Sequence, residues 1–348
     1  MSARVYLDAN ATMPLRPEAR AAMVEAMDVA GNPSSVHAEG RAAKAIVERA
    51  RGRVAAALGA EGADIVFTSG ATEAAALALA GRGLRGAGIE HDAVAAWIDP
   101  VLPVDRAGRV TVDDPATATL QLANSETGVV QNIPAGLAVC DMTQGFGKLP
   151  VAFNWLGCDM ALVSAHKLGG PKGVGALVLR QGLELAAQLR GGGQEMGRRA
   201  GTENVIGIAG FGAAAAAAAR DLADGVWTRV EELRNILVSH LDPAETETIF
   251  VGNDGPRLPN TLCLATPGWK GETQVMQMDL AGFAISAGSA CSSGKVRESR
   301  VLRAMGYPPD VALGAVRVSL GPWTTEDDVV RFAQAWRAQR RRHRARAA

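Results

Sequence analysis

The residues with the most chemical potential lie in one short stretch, Ser164-Ala165-His166-Lys167-Leu168-Gly169-Gly170-Pro171-Lys172-Gly173. It sits between two apolar runs, residues 159–164 and 174–179, so Lys167 is expected to be buried or half-buried. Burial disfavours the ammonium form, lowers the amine's pKa and makes it a nucleophile toward carbonyls. A Schiff base with pyridoxal 5′-phosphate (PLP) needs that property. A His-Lys pair alone is more often a surface loop, so the other reactive residues carry weight. The run Asp64-Ile-Val-Phe-Thr-Ser69 passes through Gly70-Ala71-Thr72-Glu73 straight into an Ala/Leu helix. Unpaired N–H groups at such a turn, with Ser and Thr hydroxyls, can hold a phosphate, and an ordinary helix cap has the same pattern. Arg317 stands inside an apolar strand, where an arginine rarely goes unpaired. Cys140 and Cys263 lie in apolar runs and Cys158 just before the lysine strand, as core residues do; Cys291 lies in a Gly/Ser loop, which suits a reactive thiol.

These side chains need a scaffold. A short strand over residues 4–12 enters a polar turn, and Pro17 opens a helix reaching Met27. A longer helical pattern covers 38–58 and stops at the glycines 59–62; the strand over 64–69 and its helix, ending near Ala80, follow. Residues 81–114 are rich in Gly, Pro and Asp and hold the isolated His91, and between His91 and Asn124 there is room for little helix. Strands are expected at 117–123, ending at Asn124-Ser125, and at 137–140, ending at Asp141-Met142-Thr143-Gln144. After the lysine strand and its partner comes a basic, Gly-rich loop over 191–204, then helices to Arg220 and over 227–241. Residues 243–255 read as a domain junction. Beyond it lie strands at 260–265, 283–286 and 315–320, a helix near 272–281, and a last helix after Thr324 or Thr325. Strands alternating with helices, each strand ending in polar residues, imply a mainly parallel sheet with its ligand at the carboxyl ends.

Composition narrows the class. The chain's 348 residues suffice for one large domain and a smaller one. Aromatics are only 4% against 48% hydrophobic residues, so the core must be built from Ala, Val, Leu and Ile. A net charge of +0 gives no argument for nucleic acid or an anionic membrane. No apolar run reads as a bilayer span, 213–219 being a short alanine block, and the first residues lack a signal peptide's apolar region. The cysteines form no C-x-x-C pair, so free thiols in a reducing cytoplasm are expected and no metal site. The arginine-rich end, 337–346, reads as a frayed helix end or solvated tail.

Taken together, the segments resemble the cysteine desulfurases, PLP enzymes of the class V aminotransferase superfamily. The resemblance runs in order through residues 6–12, 31–35, 67–73, 90–91, 126–131, 141–144, 164–167, 191–195, 199–202 and 288–293. The loop Gly288-Ser-Ala-Cys-Ser-Ser293 is similar to that of the nitrogen-fixation and iron–sulfur-cluster enzymes with a long cysteine loop. The likeness implies a fold type I PLP-dependent transferase: an α/β protein with a mainly parallel sheet flanked by helices, plus a smaller α+β domain. It implies a large PLP-binding domain at 14–243 and a small domain, 1–13 plus 244–348, carrying the cysteine loop.

The resemblance also implies roles. Lys167 would hold PLP and act as base at the substrate Cα. Asp141 would pair with the pyridine nitrogen and keep the ring an electron sink. Gln144 and Ser125 would meet the ring oxygen; the family often has a second asparagine where this chain has Ser125, whose hydroxyl supplies fewer donors. His91 would stack on the ring and move protons. Ala71, Thr72, Ser164 and His166 would hold the phosphate, and Thr202 would reach it from a neighbouring subunit in a homodimer. Arg317, assisted by Asn32, would clamp the carboxylate of L-cysteine. Cys291 would take the substrate's sulfur as a persulfide, releasing alanine, and pass it to an acceptor such as an iron–sulfur scaffold protein or a thio-cofactor pathway. The alternatives are a selenocysteine lyase or other β-eliminating PLP enzyme, and a weakly active or non-catalytic paralogue acting as a partner scaffold.

Overall fold

The computed structural model describes residues 4–241, 247–288 and 298–347. Its largest sheet has the order β2-β8-β7-β6-β5, formed by β2 (Asp64–Thr68), β8 (Gly175–Leu179), β7 (Met160–Ser164), β6 (Val139–Asp141) and β5 (Thr119–Gln121). The strands β5, β6 and β7 pair in parallel; β8 runs antiparallel to both β7 and β2, so β2 shares the direction of the other three. A parallel pair, β3 (Arg85–Ala87) with β4 (Asp99–Leu102), joins the edge through a bridge from Arg85 to Ala118. Every residue of β7 and β8 is buried, as expected of strands covered on both faces.

Alternation along the strands separates two cores. Ile65, Phe67, Ala161 and Val163 face the layer that includes α2 (Ala38–Leu58) and α6 (Val205–Ala223). Val66, Met160 and Leu162 face α3 (Ala71–Leu79) on the other side. Helix α2 ends where Gly59 adopts φ 59°, a left-handed cap. The alanine block belongs to α6, which is 19 residues long and, contrary to the sequence reading, apolar enough by length and composition to cross a bilayer. Its surface is instead packed on α2 and on α1 (Pro17–Met27), with 61% of the apolar window buried. The approach is close: a Cβ on Gly212 would sit 2.6 Å from Ala50 Cα.

A second sheet, entirely antiparallel, has the order β12-β13-β10-β9: β12 (Ser286–Ala287), β13 (Ala315–Ser319), β10 (Thr261–Ala265) and β9 (Ile249–Val251). Strand β1 (Val5–Tyr6) pairs in parallel with β11 (Phe283–Ala284) beside it. This sheet shares a core with α7 (Val226–Leu241) through Trp227, Val230, Leu233 and Leu237. The boundary expected at 243 therefore falls after a helix whose apolar face packs with the second sheet. The expected junction at 243–255 also contains β9. The C-terminal end is a helix end, one of the two readings its arginines allowed: the last helix runs Glu326–Ala347, with Arg341, Arg342, Arg344 and Arg346 exposed. Arg340 is buried and paired with Glu247 at 3.1 Å, and the His343 ring stacks on Trp269 at 5.6 Å. Cys140, Cys158 and Cys263 are buried free thiols.

Candidate active site

The strands β2, β5, β6 and β7 end around one cavity of about 580 Å³. This is the carboxyl side of the sheet, where open α/β sheets take ligands.

One wall is the turn from β2 into α3. The first N–H groups of α3 have no intrahelical acceptor, and Ala71 and Thr72 line the cavity. Glu73 accepts from Ser69 N at 2.8 Å and from Arg199 Nε at 2.8 Å. Burial alone would raise the Glu73 carboxyl, but the bonds from Arg199 and Ser69 outweigh it and hold it below the usual range. Strand β8 passes directly under the turn: a Cβ on Gly175 would lie 2.6 Å from Val163 O and 2.7 Å from Gly70 Cα. Only glycine fits that crossing.

A second wall carries the cations. A single turn after β7, Ala165–Lys167, projects His166 and Lys167, and Lys172 joins them. Lys167 is half-buried, and its Nζ donates to Asn10 O at 2.7 Å and Ala11 O at 3.0 Å. His166 lies 3.2 Å from Thr12 Oγ1. Burial, then the charges of Lys167 and Lys172, push its pKa down to about 4, so the ring is neutral near pH 7. Lys167 and Lys172 put positive charge on this wall, which suits an anion such as phosphate.

Opposite stands Asp141, the last residue of β6, whose Oδ1 accepts from Thr143 N at 2.9 Å. Behind it the fully buried Glu90 accepts from Gln121 N at 3.2 Å. Burial, then the charge of Asp141, raises its pKa to about 8, so Glu90 is protonated near pH 7. His91 caps the short helix α4 (Asp92–Ala95); its Nδ1 accepts from Ala93 N at 3.1 Å, which puts the neutral ring's proton on Nε2. Ser125, Gln144 and Ser164 also line the cavity.

Other expected residues lie elsewhere. Thr202 lines an adjacent cavity of about 250 Å³ that shares Ser69 and Gly173 with the first. Arg317 is buried behind Ser125, donating to Ser125 O at 3.0 Å and to Asp8 Oδ1 at 2.8 Å. Asn32 is exposed and away from the cavity, its Oδ1 accepting from Ser34 N at 2.9 Å. Cys291 lies outside the described residues. Sequence reasoning missed three parts: Asn10, Lys148 and the Glu73–Arg199 pair. Asn10 is fully buried, donating to Thr261 Oγ1 at 2.8 Å and accepting from Lys148 Nζ at 3.1 Å. The spacing of Ser69 to Glu73, a capping-box-like pattern, and of Gln144 to Lys148, one helical turn, were the available signals.

The family Aminotransferase class-V matches residues 5–94 and 102–332, and the chain belongs to it. A cysteine desulfurase IscS of Dictyoglomus turgidum is 36% identical, covering 94% of this chain and 92% of that protein. A cysteine desulfurase of Frankia sp. is 42% identical over 93% of this chain and 88% of its own length. The solved structure of a NifS-like protein from Rickettsia africae superposes with a TM-score of 0.87 at 31% identity, covering 95% of this chain and 98% of that one. DndA from Streptomyces lividans superposes at 0.72 and 31% identity, over 90% and 99%. Within its family, then, the chain is an enzyme of the cysteine desulfurase type, with the fold type I architecture of the NifS-like proteins. Enzymes of this family work with PLP, and the residues here fit it. The α3 turn and the cationic wall suit its phosphate, Asp141 suits a protonated ring nitrogen, and Lys167 suits the aldehyde.

Proposed function

We propose that the protein removes sulfur from L-cysteine with PLP held on Lys167, and passes that sulfur through Cys291 to an acceptor protein of iron–sulfur cluster or thio-cofactor assembly. The observation that carries this reading is the placement of Lys167, Asp141 and the α3 turn around a single cavity. PLP, when bound, supplies an electron sink for the substrate's Cα. Ala71, Thr72, Ser164 and His166 bind the phosphate, with the neutral His166 ring donating rather than repelling a second cation. Asp141 holds the ring nitrogen's proton, Gln144 and Ser125 address the ring oxygen, and His91, with its proton on Nε2, serves as the acid/base group on the ring face. Lys167 would also serve as the base that takes the substrate's Cα proton.

The Cys291 thiolate attacks the substrate's sulfur. The substrate's C–S bond breaks with its electron pair going to carbon, which takes a proton and becomes the methyl of alanine; Cys291 keeps the sulfur as a persulfide. Arg317, released from Asp8, orients the substrate carboxylate. In this reading residues 14–243 hold the cofactor, while 1–13 and 244–348 carry Arg317 and the Cys291 loop. The enzyme is a cytoplasmic homodimer in which the partner subunit's Thr202 reaches the phosphate. The test is a visible absorption spectrum of purified protein with PLP, before and after cysteine, with alanine assayed alongside. Lys167→Ala should abolish the visible band, and Cys291→Ala should keep the band but yield no persulfide. An unchanged band in the first variant, or wild-type alanine and sulfide release in the second, would refute the assignments.

A further inference from the structure

Lys148 is buried, only 2% exposed, and does not line the cofactor cavity. Its Nζ donates to Gln144 Oε1 at 2.7 Å and to Asn10 Oδ1 at 3.1 Å. Among the described residues no carboxylate lies within ion-pair distance of it. The two N–H groups of an uncharged amine match these two acceptors and leave its lone pair over; an ammonium would carry a third N–H with no acceptor among the described residues. Burial, then the charges of Lys167 and Arg317, push its pKa well below an amine's usual value, which agrees with the donor count.

The geometry extends to the reacting amine. With Oε1 held by Lys148, the Gln144 amide must turn its Nε2 the other way, and it donates to Asn10 O at 3.0 Å. A flipped amide would set its Oε1 against the Asn10 carbonyl, acceptor against acceptor. The same Asn10 carbonyl accepts from Lys167 Nζ at 2.7 Å. Lys148 also bonds the Asn10 side chain, which Asn260 Nδ2 meets at 3.1 Å. One buried amine thus fixes both a cavity-lining amide and the backbone that holds Lys167.

We propose that Lys148 is a positioning residue for the reaction, acting through Gln144 and the Asn10–Ala11 backbone to set the proton affinity and orientation of the Lys167 centre. The proposal rests on the reading of Lys167 as the cofactor's anchor. Lys167 also faces His91, Asp141, His166 and Lys172 around the cavity, all of which Lys148 variants leave in place. The experiment is a pH titration of the visible band of the PLP-loaded protein. In Lys148→Met the cofactor content should stay at the wild-type level, while the midpoint moves by roughly one pH unit, the equivalent of one lost hydrogen bond. Lys148→Gln, uncharged and still a donor, should move it less. In a Gln144→Ala background the Lys148→Met shift should largely vanish. An unmoved midpoint, a shift undiminished in that background, or failure of both Lys148 variants to fold would overturn the proposal. Wild-type protein that takes up no PLP would overturn the Lys167 reading as well; normal uptake with an unmoved midpoint overturns this proposal alone.

Discussion

Replacing Glu90 with glutamine tests the electrostatics of the site without touching a residue assigned to the cofactor. Glu90 is fully buried, and its Oε2 has no hydrogen-bond partner. Burial and the neighbouring Asp141 raise the carboxyl from 4.5 to about 8. The folded state therefore holds this proton more tightly than the unfolded chain does. Its stabilising contribution is complete below about pH 4.5 and is lost as pH rises toward 8. Each unit is about 1.4 kcal/mol, so the acid costs the native state roughly 3 kcal/mol at pH 7 and roughly 5 kcal/mol at pH 9, relative to a side chain that cannot ionise. Glutamine is such a side chain. Its NH2 brings two N–H groups where the protonated acid has one O–H, an offset that does not change with pH, so the difference between the two proteins should be constant below about pH 4.5 and grow in the variant's favour above it. Urea unfolding of Glu90→Gln and wild type between pH 5 and 9 measures the difference directly. The expected result is a variant that is increasingly the more stable as pH rises. A difference that stays flat with pH, or a wild type that gains on the variant above pH 7, would refute the claim that Glu90 is protonated in the native state.

Two further perturbations separate the turn from the helix end. Gly175→Ala puts a methyl within 2.7 Å of the Gly70 backbone, so the phosphate-binding turn must move; we expect a loss of about 1–3 kcal/mol in stability by chemical denaturation and at least tenfold weaker PLP uptake. Unchanged uptake would show that the turn is not where the phosphate rests. Ending the chain after Gln339 removes the Arg340–Glu247 bond and the stacking of His343 on Trp269; roughly 1–2 kcal/mol should be lost, whereas a solvated tail would cost nothing to remove.

What the sequence made readable was local. Pro17 and Gly59 bound helices because their backbone preferences act where they stand, and β7, Lys167 and β8 could be read because two apolar runs bracket one loop. The reversed direction of β8 follows from that loop as well: residues 165–174 are too few for a parallel crossover, so the strand must return antiparallel. The pair β3–β4 was harder, because short strands holding Gly or Pro show no period. The arginine-rich end was half legible: it is a helix end, as read, but one docked through Arg340 and His343. Arginine stems cover apolar surface while their charges reach water, so a string of arginines can hide a docked helix face. The polar hub was the least legible part. Asn10 meets Lys148 across 138 positions and Asn260 across 250, and no window of sequence contains both ends of either bond. Such contacts are chosen by the fold rather than by neighbours, and they hold Lys167 in place through the Asn10 carbonyl. The reactive residues could therefore be named from their own surroundings, while the groups that aim them emerge only once the two sheets are brought together.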